Sequence, residues 1–88
     1  MTEQKITVSN RAGIHARPAA LVVQTIKNFK SNIFIQKEND KINAKSIMGV
    51  ITLGAAYGTE LTITADGEDE AEAVAALVHL FESKFEED

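Results

Sequence analysis

The 88-residue chain contains no cysteine, no tryptophan and a single proline. Without cysteine it cannot form a disulfide framework, use a thiolate nucleophile or build a cysteine-ligated zinc site. Such a small domain has to be stabilised by packing alone, and the lack of cysteine fits a reducing compartment. We therefore expect a cytoplasmic protein whose chemistry uses other side chains.

The chain also lacks a long hydrophobic run. Residues 1–5 hold no apolar stretch of the kind that a secretory signal requires. The longest uncharged run, residues 46–59, has 14 residues and contains three glycines, so it is too short and too interrupted to span a bilayer. We expect a soluble protein with no membrane partner.

Charge is unevenly distributed along the chain, whose formal net charge is -4. Residues 1–59 hold eight basic and three acidic side chains, whereas residues 60–88 hold ten acidic side chains and one lysine. The acidic total argues against nucleic acid as a direct partner. The basic first part could attract an anionic group or an acidic protein surface. With 44% hydrophobic residues, the composition predicts one globular domain over residues 1–88.

Four segments have the pattern of β-strands. Alternation of apolar and polar residues places Ile6 and Val8 on the inner face of the first, and Thr62 and Thr64 on the solvent side of the last. The second is a β-branched and aromatic run typical of a buried strand, and a hairpin turn at residues 38–41 leads into the third. The predicted strands cover residues 5–8, 33–35, 42–44 and 61–65.

Two segments have helical spacing, and residues 46–53 between them are ambiguous between a helix and a strand. Apolar residues recur every three or four positions over residues 16–28, and two glycines favour only a short helix over residues 47–51, followed by a loop. Asp69 and Glu72 resemble a capping box that starts the last helix, and we expect the acidic end, residues 86–88, to be frayed. The apolar stripe of the last helix consists of Val74, Leu77, Val78, Phe81 and Phe85. This order of strands and helices predicts a two-layer α+β sandwich with the helices on one face of the sheet.

The segment most suited to chemistry is residues 13–20. Because the helical pattern begins at Ala16, His15 lies at or near the N-cap, where first-turn N–H groups lack intrahelical partners and the helix dipole adds partial positive charge. Pro18 lies in the first turn, where its missing N–H costs no hydrogen bond. Gly13 permits a backbone conformation that turns the imidazole outward.

This environment suits a group that becomes anionic. A protonated histidine is disfavoured at a helix N-terminus, so we expect the ring of His15 to be neutral and nucleophilic near pH 7. If the ring took up a phosphoryl group, the free amides would face the new dianion and Arg17 could pair with it. The spacing therefore combines a nucleophile, a cation and an anion-binding helix end.

The functional interpretation has plain alternatives. A lone histidine beside a helix start is most often a tolerated polar residue, and only its combination with Gly13, Arg17 and Pro18 favours a role for His15. We interpret His79, late in the last helix, as structural. The two histidines are far apart in the sequence and form no ligand pattern with each other, so we predict no metal site. The chain has no P-loop and no Ser-His-Asp set, so we predict no cofactor and no autonomous enzyme.

Two motifs resemble one known family. Gly-Ile-His-Ala-Arg-Pro-Ala at residues 13–19 is similar to the active-site segment of HPr, the histidine-containing phosphocarrier family of the bacterial phosphoenolpyruvate-dependent sugar phosphotransferase system. Lys-Ser-Ile-Met-Gly-Val at residues 45–50 is similar to the regulatory serine segment of its low-GC Gram-positive members. The likeness extends from the first strand to the last helix, including residues 53–54 and 67–70. It implies an open-faced sandwich of a four-stranded antiparallel sheet with three helices, one of them short, on one face.

The resemblance implies a role for each matching position. His15 would accept a phosphoryl group on Nδ1 from enzyme I and pass it to sugar-specific enzyme IIA domains, with Arg17 neutralising the phosphoryl oxygens. Ser46 would be phosphorylated from ATP by an HPr kinase/phosphorylase, and the modified surface would bind a catabolite-control repressor. The family docks partners on the helix after His15 and on the segment after Ser46. The matching docking residues are Ala16, Ala20, Ile47, Met48 and Ile51.

Ser46 also has a simpler interpretation, since a serine in this position can merely cap the short helix that follows it. The apolar cluster of Ile47, Met48 and Ile51 is either a docking patch or part of the core, and we favour docking. Ala20 and residues 43–46 resemble the regulatory paralogue, catabolite repression HPr, at least as closely as the carrier. That paralogue lacks the active histidine, so His15 favours the carrier. A regulator acting mainly through phosphorylated Ser46 as a repressor coeffector is the alternative.

Overall fold

The computed structural model describes residues 1–86, which form four strands, three α-helices and a C-terminal turn. The strands are β1 (Thr2–Thr7), β2 (Asn32–Lys37), β3 (Asp40–Asn43) and β4 (Glu60–Asp66). The helices are α1 (Ala16–Ile26), α2 (Ile47–Thr52) and α3 (Glu70–Glu82), and the C-terminal turn comprises Lys84–Glu86.

The strands form one antiparallel sheet in the order β1-β4-β2-β3. Side chains that alternate along the strands, such as Ile33, Ile35 and Ile63, are fully buried beneath the helices, while the opposite face of the sheet is open. The predicted open-faced α+β sandwich is confirmed. β1 begins earlier than alternation indicated, because Thr2 already pairs with Ala65 of β4. Val8 follows β1 and is fully buried, as the pattern predicted.

Two residues on the open face depart from the sequence expectation. Residues 33–35 are not a wholly buried run, because Phe34 lies half-buried on the open face with Lys41 Nζ 4.9 Å from its ring centroid. Thr64 was predicted to face solvent, but it is only 7% exposed. It lies on the central strand between Glu3 of β1 and Phe34 of β2, so its neighbours on both sides cover it.

The helices begin near their predicted starts and differ at their ends. α1 ends at Ile26 rather than at residue 28, because the N–H of Phe29 bonds the Ile26 carbonyl oxygen at 3.0 Å and closes a tighter turn. α2 is the predicted short helix, one residue longer, and a loop follows it.

The capping box predicted at Asp69 and Glu72 is wrong. Asp69 is the N-cap of α3 but makes no side-chain hydrogen bond to that helix. Its carboxylate instead accepts hydrogen bonds from the N–H groups of Lys30 at 2.8 Å and Ser31 at 2.9 Å, and from the Ser31 hydroxyl. These bonds, the one from the Ser31 hydroxyl most of all, lower the pKa of Asp69. Asp69 therefore joins the start of α3 to the segment that precedes β2.

Glu70 joins the same end of α3 to β1. Its carboxylate accepts a hydrogen bond from Thr2 Oγ1 at 2.6 Å, pairs with the N-terminal amine at 2.9 Å and accepts from the Gly67 N–H at 3.2 Å. These contacts, led by the Thr2 hydroxyl, lower the pKa of Glu70 to about 2.

The end of α3 turns back on the core. Within the predicted stripe Val78 is only half-buried, and Phe85 is buried although it lies beyond the helix, in the C-terminal turn. Lys84 and Phe85 have φ values of 57° and 56°, in the left-handed region. Of the end predicted to be frayed, Glu86 belongs to the C-terminal turn, and residues 87 and 88 lie outside the described residues.

Candidate functional site

His15 is the N-cap of α1, as the sequence predicts. Its backbone is extended, with φ −124° and ψ −160°, its side chain is exposed, and its carbonyl oxygen accepts the first intrahelical bond, from the Ala19 N–H at 2.9 Å. The imidazole makes no capping hydrogen bond. Since Pro18 has no N–H, the first-turn amides that the helix cannot use are those of Ala16 and Arg17. An exposed imidazole thus stands beside two amides that point out of the helix end.

The loop before His15 is held in place on both sides. Gly13 has φ +75°, and the N–H of the next residue, Ile14, bonds the Ala55 carbonyl oxygen at 2.8 Å. Asn10 is 2% exposed; its Nδ2 donates to the Gly13 carbonyl oxygen at 2.8 Å, and its own carbonyl oxygen accepts the Gly13 N–H at 3.1 Å. Within the described residues, the buried Oδ1 of Asn10 has no hydrogen-bond partner. The imidazole therefore projects from a fixed loop.

His15 and Arg17 share a small cavity, which we call the His15 cavity. It has a volume of about 130 Å³. Both side chains, with Lys84, give it an imidazole and two cations. The remaining lining residues are Asn10, Ala12, Pro18, Leu21 and Phe85. This arrangement suits the binding of an anion next to the ring of His15.

Sequence analysis missed Asn10, Lys84 and Phe85 at this site. Asn10 stands between the first predicted strand and the helix that begins at Ala16, and no sequence pattern there indicates that it is buried. Phe85 was predicted to continue the apolar stripe of the last helix, with Lys84 just before it, and no sequence pattern connects either residue with His15. Only the left-handed backbone at both residues turns them into the cavity.

Ser46 is the N-cap of α2, and its Oγ accepts a hydrogen bond from the Gly49 N–H at 3.0 Å. Its capping role is confirmed. The Nζ of the preceding Lys45 donates to the Phe29 carbonyl oxygen at 2.6 Å, just beyond the end of α1. The loop after α2, through Ala55, instead contacts the start of α1. The structure therefore separates Ser46 and His15, which lie toward opposite ends of the packed pair α1 and α2.

Exposed apolar side chains lie on α2. Ile47 is 44% exposed and Met48 is 67% exposed, so neither belongs to the core. Ile51 is half-buried and packs against the core. On α1, Ala16 is exposed and Ala20 half-buried. We call these five residues, which the family resemblance assigns to partner docking, the docking surface.

The other histidine is unremarkable in its surroundings. His79 is exposed in the last turn of α3, where a cationic group is favourable. Residues 1–86 contain no group of three or more His, Asp and Glu side chains arranged to hold a metal ion. None of the helices in this part of the chain has the length and apolar character needed to cross a membrane.

Comparison with known proteins gives consistent matches. A family model described as "PTS HPr component phosphorylation site" matches residues 2–83. The chain is 47% identical over 88 residues to the phosphocarrier protein HPr of Treponema pallidum, covering 100% of both chains. It is 49% identical over 77 residues to the HPr-like protein Crh of Bacillus subtilis, covering 88% of this chain and 91% of that protein.

A solved structure agrees with these sequence matches. The crystal structure of HPr-C-His from Thermoanaerobacter tengcongensis has a TM-score of 0.95 and 52% sequence identity. The match covers 100% of this chain and 99% of that one. Fold and sequence therefore indicate the same relatives over the whole chain.

Proposed function

Because the chain belongs to the HPr family, the phosphocarriers of the bacterial sugar phosphotransferase system, we propose that His15 is the residue that carries the phosphoryl group. The observation that supports this assignment is the exposed imidazole at the N-cap of α1, in one cavity with Arg17. His79 differs on both points, because it lies in the last turn of α3 rather than at a helix N-cap and does not line this cavity.

The transfer step is a displacement at phosphorus. The lone pair on Nδ1 of His15 forms the new bond to phosphorus, and the bond to the donor atom breaks with its electron pair remaining on the donor. The ring keeps its proton on Nε2. First-turn amides and the Arg17 guanidinium face the phosphoryl oxygens and stabilise the charge that develops on them. The reverse displacement by an acceptor returns His15 to its starting state.

Phosphotransferase partners supply and receive this group. Family membership implies enzyme I and enzyme IIA proteins in general. In our proposal enzyme I is the donor, sugar-specific enzyme IIA domains are the acceptors, and the exchange takes place in the cytoplasm. Residues 1–88 act as one HPr-like domain, which is a substrate of these enzymes rather than a catalyst of its own.

Ser46 is proposed as a regulatory site, phosphorylated from ATP by an HPr kinase/phosphorylase. Its hydroxyl caps α2 and adjoins the exposed Ile47 and Met48. A phosphate on Ser46 would lie beside the backbone N–H groups of the first turn of α2, as an anion does at any helix N-terminus, so the fold accommodates it. The charge alters the docking surface, weakening enzyme I docking and supplying a ligand for the basic groups of a catabolite-control repressor.

The alternative function is a regulator of the Crh type that acts mainly through phosphorylated Ser46. The 49% identity to Crh of Bacillus subtilis favours it. The carrier is supported instead by the exposed His15, which shares one cavity with Arg17.

Intact-mass measurement after incubation with enzyme I and phosphoenolpyruvate tests the carrier assignment. We expect the parent to gain one phosphoryl group in an acid-labile linkage. His15→Ala should gain none, whereas the matched control His79→Ala should behave as the parent. Phosphorylation of His15→Ala by enzyme I would remove His15 from this role.

A further inference from the structure

The C-terminal turn brings a second cation to the His15 cavity. Lys84 lines this cavity together with Arg17. An anion seated beside the imidazole therefore meets two basic side chains rather than one. The acidic part of the sequence, residues 60–88, contributes its single lysine at this point.

An unfavourable backbone conformation is maintained at this turn. Lys84 and Phe85 both have left-handed φ values, 57° and 56°, which residues other than glycine rarely adopt. The burial of Phe85 compensates for it, since its ring is 3% exposed and lies edge-to-face on Phe81 with 4.8 Å between centroids. The reversal that returns Phe85 to the core is what places Lys84 at the cavity.

Hydrogen bonds connect this turn with the loop that carries His15. The Ser83 hydroxyl donates to the Leu80 carbonyl oxygen at 2.8 Å, which closes the end of α3. From the other side, the Ser9 hydroxyl donates to the Phe81 carbonyl oxygen at 3.2 Å. The end of α3 and the start of the His15 loop are therefore one connected unit, and Lys84 has a defined position relative to His15.

We propose that Lys84 is a second cationic contact for the phosphoryl group on His15, acting beside Arg17; this inference rests on the proposed function. Phosphoryl groups on side chains carry about −1.5 to −2 charges near pH 7, which two cations neutralise more completely than one. The guanidinium of Arg17 offers a planar pair of donors, whereas the ammonium of Lys84 is a point charge on a flexible stem that can follow the oxygens during transfer. Lys84 forms and breaks no covalent bond.

The experiment compares Lys84→Gln with Lys5→Gln. Lys5 is an exposed lysine on β1, opposite Thr62 of β4 on the open face of the sheet, so it matches Lys84 in charge. It lies on the side of the sheet away from α1 and α2, and so away from the docking surface. Lys84→Arg tests whether a cation is sufficient. Lys84→Gly removes the cation and also the left-handed strain.

The measurements are phosphoryl transfer from phosphorylated enzyme I at low and high salt, binding of inorganic phosphate followed by NMR, and thermal unfolding. We expect Lys84→Gln to slow transfer about three- to fivefold at low salt, as for an exposed ion pair, to weaken phosphate binding, and to differ less from the parent at high salt. Lys84→Arg should restore both quantities, and Lys5→Gln should match the parent. Lys84→Gly should unfold at a higher temperature than the parent while still losing phosphate affinity.

The outcomes separate this inference from the function on which it rests. If the parent is phosphorylated on His15 and Lys84→Gln equals it in transfer and in phosphate affinity, Lys84 has no such role and the carrier assignment stands. If Lys84→Gln loses thermal stability but no phosphate affinity, Lys84 serves only the end of α3. If the parent takes no phosphoryl group on His15, both ideas fail.

Discussion

Gly13 lies directly against the backbone of Ala55. A Cβ built on Gly13 would come within 2.8 Å of the Ala55 carbonyl oxygen and 3.0 Å of the Ala56 Cα. The same carbonyl oxygen accepts the N–H of Ile14 at 2.8 Å. The loop that presents His15 is therefore seated on the loop after α2, with no space for a side chain between them.

This contact makes Gly13→Ala the most damaging small substitution in the loop. Its matched control is Gly54→Ala, because Gly54 also has a left-handed φ, +61°, but has no atom within 4 Å of an added Cβ. We expect Gly54→Ala to lower the free energy of unfolding by about 1 kcal/mol and Gly13→Ala by roughly 2–4 kcal/mol, with slower phosphorylation of His15. Urea denaturation measures both, and equal losses would mean that the contact with Ala55 is not the limiting feature.

Substitution of Arg17 should affect transfer far more than folding. The side chain is exposed, so its removal leaves the packing of α1 intact. We expect Arg17→Ala to slow transfer from enzyme I on the order of a hundredfold, the usual effect of losing a group that stabilises developing charge, with little change in thermal stability. Arg17→Lys should recover part of the rate, since it keeps the charge but not the paired donors. Unchanged transfer in Arg17→Ala would exclude it from the mechanism, and a matching loss of stability would make its role structural.

Phosphorylation of Ser46 should inhibit the His15 reaction at the docking step. Ser46 and His15 lie toward opposite ends of the α1–α2 pair, so the new charge acts on a partner rather than on the imidazole. A partner that covers Ile47 and Met48 has to remove the phosphate charge from water, which costs free energy. Acidic side chains on the partner would also repel that charge. Enzyme I kinetics at low and high salt should show weaker docking with the fold unchanged.

Two variants complete the test at Ser46. Ser46→Asp should imitate the inhibition in part, because one carboxylate has less charge and fewer acceptor oxygens than phosphate. Ser46→Ala should resist the kinase and accept phosphoryl on His15 at the parental rate, while losing about 1 kcal/mol of stability with its cap. A parental rate in the kinase-treated protein would contradict the docking argument.

Acid should weaken the start of α3 first. The pKa of Glu70 is lowered from 4.5 to about 2, so its contribution to stability is present above pH 4.5 and is lost as the pH falls toward 2. Asp69, whose pKa is also lowered, adds to the loss in the same direction. Glu70→Gln should therefore reduce stability at pH 7 and flatten its decline between pH 4.5 and about 2. Glu72→Gln, an exposed first-turn carboxyl, is the control, and thermal unfolding against pH is the measurement.

Much of the fold and the centre of the site could be predicted from the sequence because they depend on near neighbours in the chain. Apolar periodicity indicated β1, β4, α1 and α3, since burial of one face requires a period of two or about 3.6 residues. Local composition indicated the others, through a β-branched run for β2, a hairpin turn for β3 and two glycines for α2. The start of α1 after His15, with Arg17 inside its first turn, is local in the same sense. So is the cap that Ser46 provides for α2.

Only the tertiary structure decided the contacts that join distant parts of the chain. Asp69 has the local pattern of a capping residue, yet Lys30 and Ser31, 38 or more positions earlier, offer its carboxylate three donors. Thr64 alternates like a solvent-facing residue, but its central place in the sheet covers it. In both cases the sheet order determines the neighbours, and no local pattern records that order.

The His15 cavity likewise combines residues that the sequence indicated with a residue that only the tertiary structure places there. A helix start and an arginine two positions later are features of a short segment, so the sequence by itself indicated an anion site there. Lys84 is almost seventy positions away, in a segment that the sequence pattern assigns to a continuing helix. The burial of Phe85 against Phe81 outweighs the unfavourable left-handed backbone of Lys84 and Phe85. This packing exists only in the folded chain, and it brings Lys84, the second cation, to the cavity that contains His15.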